Sequence, residues 1–290
     1  MLTQHAAGQI LGKDSILGSG PLRHALEGIF DQAAANQVLQ GGKPIFLSAV
    51  SLQTSELFYF HTMDGAVIER PAREYRLKTR AELIGAMLAS ASVPIMMPPV
   101  QVLSKAFDPL HPPLPAGAGG PIVPDQFIDG GVREYAPLKV VIDQGATEIY
   151  AIVLSPLTRT RRNQPFTKVL EIIPRTIDTL TEDVSENDID VAQRTNLLLT
   201  KVAKLRSDLI AGGADPLLVE RSFSAAGSPF SGKTLINLHL IVPEAPLLKG
   251  DSLQFDEFDM ALMMDIGHNR AAALLPTRPA PPAPTGPPIV

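Results

Sequence analysis

The spacing of apolar residues switches repeatedly between a strand-like and a helix-like pattern along the chain. Short β-prone apolar runs bounded by turn residues predict strands over residues 43–51, 56–62, 126–128, 147–154 and 234–242. Apolar residues at helical spacing predict helices from Pro21 onward and over residues 79–91, 138–144, 166–180, 188–210 and 255–275. The alternation of the two patterns predicts an α/β fold with helices layered on a sheet.

Two proline-rich stretches interrupt this pattern. Residues 109–124 read PLHPPLPAGAGGPIVP, which can form neither a helix nor a central strand and therefore predicts a surface loop. Residues 276–290 contain a proline at nearly every second position and predict an extended or disordered tail. The domain is therefore expected over residues 1–275, with the tail following it.

Composition narrows the classes of function. The chain has 290 residues, of which 45% are hydrophobic and 19% charged, enough to bury the core of one large domain. Its formal net charge of -5 leaves no basic excess, which argues against a nucleic-acid-binding surface. Cysteine is absent, so disulfides, thiolate nucleophiles and cysteine metal sites are excluded.

No targeting or metal signal is evident. The first residues do not resemble a signal peptide, and no uninterrupted apolar run approaches about 18 residues, so a cytoplasmic location without a transmembrane span is expected. The six histidines lack paired metal-ligand spacing, and no metal or cofactor is predicted. A cluster of acidic residues near the predicted helix start at 188 suggests either a cation site or surface residues that match the helix dipole, and no functional role is assigned to its members: Glu182, Asp183, Glu186, Asp188 and Asp190.

The most informative chemistry lies at Asp129. It directly follows a predicted strand, and Gly130 and Gly131 after it permit a tight turn, so the carboxylate is expected at the edge of the sheet. Catalytic groups of α/β enzymes commonly occupy such positions. An isolated Asp-Gly-Gly would otherwise be explained as an ordinary turn.

Motifs on both sides of Asp129 resemble the patatin-like lipid acyl hydrolases. The upstream segments are LASASVP at 88–94 and PPV at 98–100, similar to the family's small-residue helix end and proline-rich exit. The downstream segments are APL at 136–138 and GA at 145–146. The resemblance covers most of residues 15–275 and implies a three-layer α/β/α sandwich, incomplete at its N-terminal side.

The family's chemistry is ester hydrolysis by a serine/aspartate dyad. By resemblance, Asp129 is the catalytic base, Gly130 and Gly131 complete its motif, and the substrate is a lipid or acyl ester, as in a phospholipase. Transient contact with a membrane surface is also implied, and Arg159, Arg161 and Arg162 are candidates to meet anionic headgroups, although a solvated loop explains them as well.

The chain departs from the family at the nucleophile. Neither the Gly-x-Ser-x-Gly elbow nor the Gly-x-Gly-x-x-Gly oxyanion loop occurs in it. Ser19, between two glycines, is explained as a helix cap. Ser90 and Ser92 are explained by their small size, which allows neighbouring elements to approach closely. Met87 and residues 95–97 could line an acyl-chain pocket or pack in the core. The 290 residues are thus expected to be inactive alone. They represent either part of an active enzyme or a catalytically dead scaffold that binds a lipid or protein.

Overall fold

The computed structural model describes residues 15–64, 73–103, 124–134, 136–154, 156, 169–224, 233–244 and 257–275. They form a mixed α/β structure in two compact units, Met1–Ala146 with Arg175–Thr234 and Thr147–Pro174 with Leu235–Val290. The α/β class predicted from the sequence is confirmed. The predicted tail, nearly all of the predicted proline-rich loop and the three arginines at 159–162 lie outside the described residues.

The first unit begins with two short helices, α1 (Gly20–Ile29) and α2 (Gln32–Gln40). The prediction that the Ser19 hydroxyl caps α1 is wrong. Ser19 occupies the N-cap position but has helical φ and ψ of -80° and -3°, and its side chain makes no capping hydrogen bond. A capping hydroxyl normally requires an extended N-cap residue. The α2 helix, which the sequence analysis did not predict, has such a cap in Asp31.

A four-stranded mixed sheet forms the centre of this unit. Its strands are β1 (Phe46–Ser51), β2 (Leu57–His61), β3 (Arg73–Arg76) and β4 (Phe127–Asp129). They lie in the order β3-β2-β1-β4, with β1 antiparallel to both of its neighbours and β2 parallel to β3. The predicted strands β1, β2 and β4 are confirmed, and β3 was not predicted.

The helix α3 (Arg80–Ser90) contributes most of its apolar residues to the core beside this sheet. Its start is fixed by a capping box, in which Thr79 and Glu82 each accept a hydrogen bond from the other's backbone N–H. The ring of Phe127 lies edge-on to both Phe58 and Phe60, with centroids 5.1 Å apart in each case. The three rings are fully buried and link β2 to β4, the strand that ends at Asp129.

The chain after β4 forms a 3-10 turn (Gly130–Val132) and then helix α4 (Leu138–Asp143). The two helices predicted over 166–180 and 188–210 are in fact one helix, α5 (Val169–Ala211), followed by α6 (Pro216–Ser224). Residues 181–187 contain no glycine or proline that would end a helix. The acidic residues near 188 therefore lie within a helix, and not at its start.

The second unit pairs β5 (Glu148–Ile152) with β6 (Asn237–Ile241) in parallel, and contains α7 (Glu257–Leu274). On one face of this pair, Tyr150 stacks on His239 at a centroid distance of 4.5 Å. Across the described ranges of both units, no helix combines the length and the apolar composition needed to cross a membrane.

Candidate functional site

The backbone of Asp129 is held from two sides at the end of β4. On one side, Asp129 is the register partner of Ala49 in the antiparallel neighbour β1. On the other side, its N–H donates a 2.9 Å hydrogen bond to the carbonyl oxygen of Ser92, just beyond the end of α3. The two constraints fix the point at which the strand turns, and therefore the position of the carboxylate.

The Asp129 carboxylate lies within the turn that follows it. Its Oδ1 accepts a 2.8 Å hydrogen bond from the backbone N–H of Gly131. The side chain is half-buried, and burial raises the pKa of the Asp129 carboxyl above its ordinary value, while the Gly131 hydrogen bond opposes that rise. A raised pKa makes the ionised carboxylate a stronger base, which is the property that general-base catalysis requires.

Gly130 is required by a close approach of the backbone of β1. A Cβ atom at position 130 would lie 2.6 Å from the carbonyl carbon and the Cβ of Ser48, and closer still to its hydroxyl oxygen. Real Cβ contacts are not that short, so any side chain would displace β1 or the turn. The glycine of the motif therefore has a packing reason that the local sequence did not reveal.

Ser48 is a serine near the turn that the sequence analysis did not consider. Because Ala49 is the register partner of Asp129, those two side chains lie on the same face of the sheet. Ser48, one residue earlier on β1, points to the opposite face, because side chains alternate along a strand. Its hydroxyl is therefore directed away from the Asp129 carboxylate.

Ser92 contacts the site through its backbone. Its side chain is fully buried, and its hydroxyl donates a 2.7 Å hydrogen bond to the carbonyl oxygen of Leu88 at the end of α3. The hydroxyl thus satisfies a helix-end carbonyl, while the Ser92 carbonyl accepts the Asp129 N–H. Ser90 is half-buried on the last turn of the same helix. Among the described residues, no serine hydroxyl donates a hydrogen bond to Asp129.

The segment after Ser92 combines core packing with backbone strain. Met87 packs against the core and Met96 is buried. Ile95 is 52% exposed and has a positive φ of 70°, an unfavourable conformation for a β-branched residue. Strain of this kind often accompanies functional sites. Here it lies three residues from the carbonyl that holds Asp129.

Glu134 is a second carboxyl beside the turn, and the sequence analysis missed it. Its backbone N–H donates a 2.9 Å hydrogen bond to the carbonyl oxygen of Gly130. Burial and the nearby Asp188 carboxylate of α5 raise the pKa of Glu134 to about 7, against an opposing effect of Lys139. Its Oε2 atom is buried without a hydrogen-bond partner among the described residues. No local sequence signal reveals the raised pKa of Glu134, because the Asp188 carboxylate that contributes to it is far away in sequence.

Each histidine of the described ranges belongs to a helix or strand other than the Asp129 turn. His61 is buried in β2, where it stacks on Phe46, and burial lowers the pKa of its imidazole. His239 lies 3.2 Å from Glu148 in the second unit, and His24 and His268 are exposed. Within the described ranges, no cluster of three histidine, aspartate or glutamate side chains has the geometry to hold a metal ion.

Comparison of the chain with protein-family models and with curated proteins gives no match.

Proposed function

We propose that this chain carries the aspartate-bearing part of a patatin-like lipid acyl hydrolase, with Asp129 as the general base. The observation that carries the proposal is the Asp129 turn itself. A half-buried carboxylate with a raised pKa is held at the end of a strand by backbone contacts alone. The proposal rests as well on the motifs that resemble the family at 88–94, 98–100 and 136–138. In it, the four-stranded sheet is part of a three-layer α/β/α sandwich.

In the proposed reaction, Asp129 accepts the proton of a serine hydroxyl while the serine oxygen attacks the ester carbonyl. The tetrahedral intermediate then breaks its bond to the leaving alcohol, which takes the proton from Asp129. Water then attacks the acyl-enzyme and gives a proton to Asp129. The second tetrahedral intermediate breaks its bond to the serine oxygen, which takes that proton from Asp129, so the fatty acid is released and the serine is restored. Asp129 therefore gives up and accepts a proton in each half of the reaction, as a carboxyl with a raised pKa can do.

The nucleophile of this reaction belongs to a Gly-x-Ser-x-Gly elbow, which the 290 residues do not contain. Ser48 points away from Asp129, and the Ser92 hydroxyl is bonded to Leu88. We therefore expect the 290-residue chain to hydrolyse short acyl esters no faster than its Asp129→Asn variant. The proposed activity requires a chain that also includes the elbow.

A second candidate function is that of a binding scaffold, which has the Asp129 turn but does not catalyse ester hydrolysis. The observation that favours it is that no described serine hydroxyl donates to Asp129. In that case the protein would hold a lipid or a protein partner, and Asp129 would serve only to shape the turn through its bond to Gly131.

The two candidates are separated by translating the coding sequence upstream of Met1 and expressing the extended chain. If it contains the elbow, we expect hydrolysis of short acyl esters, reduced about 10²- to 10⁴-fold by Asp129→Asn. An isosteric amide keeps the Gly131 hydrogen bond, so the fold should survive, as circular dichroism can verify. Equal activity of the two extended chains, or an in-frame stop directly before Met1, would contradict the enzyme proposal.

A further inference from the structure

The segment that follows the Asp129 turn is bonded both to that turn and to α5. Toward the turn, the backbone N–H of Glu134 donates a 2.9 Å hydrogen bond to the carbonyl oxygen of Gly130. Toward the helix, the backbone N–H of Ala136 donates a 3.2 Å hydrogen bond to Oδ2 of Asp188, a residue of α5. Residues 134–136 therefore connect the candidate site to α5.

Glu134 brings a second carboxyl to the place where this segment meets α5. Its Oε2 atom is buried without a hydrogen-bond partner among the described residues, and the Asp188 carboxylate acts on it as a like charge. Burying an ionised oxygen without a donor is unfavourable, and a like charge nearby adds to the cost. The contact with α5 therefore tolerates one negative charge, on Asp188, much better than two.

The other charged groups around Glu134 do not compensate its charge. Lys139 and Asp143 of α4 act on it in opposite directions, and they form an ion pair with each other at 2.5 Å. The guanidinium of Arg133, the preceding residue, donates to the carbonyl oxygen of Ser55. Burial is the main reason that the pKa of Glu134 rises to about 7. Glu134 therefore gains or loses its proton near neutral pH.

We propose that Glu134 and Asp188 form a pH-sensitive latch between α5 and the segment that follows the Asp129 turn. While Glu134 is protonated, Asp188 holds the Ala136 N–H and the latch is closed. When Glu134 gives its proton to solvent, the two carboxylates repel each other, and the segment separates from α5 so that the new charge reaches water. The bond from Ala136 to Asp188 is then broken.

The latch has two states that differ in their affinity for a proton, and such a difference is what allows pH to shift the equilibrium between them. Its opening is local and leaves the rest of the domain folded. Because Glu134 is bonded to Gly130, opening would loosen the segment beside the Asp129 carboxylate. The proposal does not depend on the reaction proposed for Asp129.

The Ala136 amide is the direct reporter of the latch, because its hydrogen bond to Asp188 is the one that breaks. Hydrogen exchange of the 290-residue chain is followed by NMR and expressed as protection factors, which correct for the intrinsic effect of pH. We expect the protection factor of Ala136 to fall at least about tenfold from about pH 5.5 to 8, since the open state binds protons less tightly. Equal protection at the two pH values would overturn the proposal.

Low concentrations of urea distinguish local opening from unfolding of the whole domain. Local opening exposes little surface, so Ala136 exchange at pH 8 should stay constant between 0 and about 1 M urea. The comparison is the amide of Phe127, a fully buried residue of β4 whose N–H is bonded to the carbonyl oxygen of Val100, and its exchange should accelerate with urea. An equally steep response of Ala136 would mean that Glu134 affects global unfolding only, and the latch proposal would be wrong.

Glu134→Gln should keep the latch closed at every pH, because glutamine cannot ionise. We expect the protection factor of Ala136 in this variant at pH 8 to equal that of the wild type at pH 5.5. Glu257→Gln, at an exposed carboxyl of α7, is the matched control and should behave as the wild type does. A tenfold fall that persists in Glu134→Gln would assign the pH dependence to another group and contradict the proposal.

Discussion

The backbone N–H of Asp129 donates its hydrogen bond to the carbonyl oxygen of Ser92, so the end of α3 determines where β4 stops and where the carboxylate lies. The hydroxyl of the same serine is bonded to Leu88 and does not take part. Ser92 is therefore a positioning residue that acts through its main chain, and its side chain contributes to stability only.

Replacing Ser92 by alanine should separate these two roles. The variant loses the buried hydrogen bond to Leu88, so we expect the free energy of unfolding to fall by about 1 kcal/mol. The carbonyl that holds Asp129 is retained, and the Asp129 carboxyl should keep its raised pKa, as carbon-detected NMR titration can measure. A pKa that returns to the ordinary value of aspartate in this variant would show that the hydroxyl positions the site. Ser90→Ala, on the adjacent turn, is the control.

Gly130→Ala should destabilise the protein because the added methyl group has no room. It would lie 2.6 Å from the carbonyl carbon of Ser48, an atom of the backbone that cannot rotate away. Overpacking of this kind costs about 1–3 kcal/mol in the free energy of unfolding, measured by urea denaturation. Gly28→Ala is the matched control, since a Cβ atom at Gly28 in α1 meets nothing within 4 Å.

The clash at Gly130 also predicts how the variant responds to a second substitution. Removing the Ser48 hydroxyl with Ser48→Ala leaves its carbonyl carbon and Cβ in place, so the double variant should remain as unstable as Gly130→Ala alone. Full recovery of stability in the double variant would mean that the added methyl group clashes with the Ser48 hydroxyl alone.

The sequence predicted the elements whose cause is local. The strands β1 and β2 are short apolar runs ending at turn signals, and α3 combines apolar periodicity with a cap at Thr79. The strand β3 was missed because its residues, Arg-Glu-Tyr-Arg, are mostly charged. It is stabilised by contacts outside its own sequence, such as the ion pair of Arg73 with Glu56 at 2.6 Å.

At the candidate site, too, the features with a local cause were predicted, and those that depend on residues distant in sequence were missed. The turn at Asp129 follows from the local Asp-Gly-Gly sequence. The reason for Gly130 does not, because it depends on Ser48 in a strand about 80 residues earlier. The prediction of two separate helices over 166–180 and 188–210 was also wrong. The acidic residues near 188 suggested the start of a new helix, but the chain continues there as a single helix, α5.

Glu134 should make the stability of the protein fall as the pH rises toward neutrality. Its pKa is about 7 in the folded state, above the ordinary value of 4.5 that it regains on unfolding. Between these values the folded state binds more protons than the unfolded state, so unfolding becomes easier with increasing pH. After allowance for partial exposure, we expect a loss of about 2 kcal/mol between about pH 4.5 and 8, and no further loss from this group at higher pH.

Substitution of Glu134 by glutamine, which cannot ionise, should remove this dependence. At pH 8 the variant is expected to be about 2 kcal/mol more stable than the wild type, whereas near pH 4 the two should be similar, by urea denaturation across the pH range. Asp188→Asn is the companion variant. It removes the carboxylate that repels Glu134 but retains an oxygen that can accept the 3.2 Å hydrogen bond from the Ala136 N–H, so it should reduce the pH dependence only in part. If Glu134→Gln is less stable than the wild type at pH 8, then the ionised Glu134 has a stabilising partner, and burial does not govern its titration.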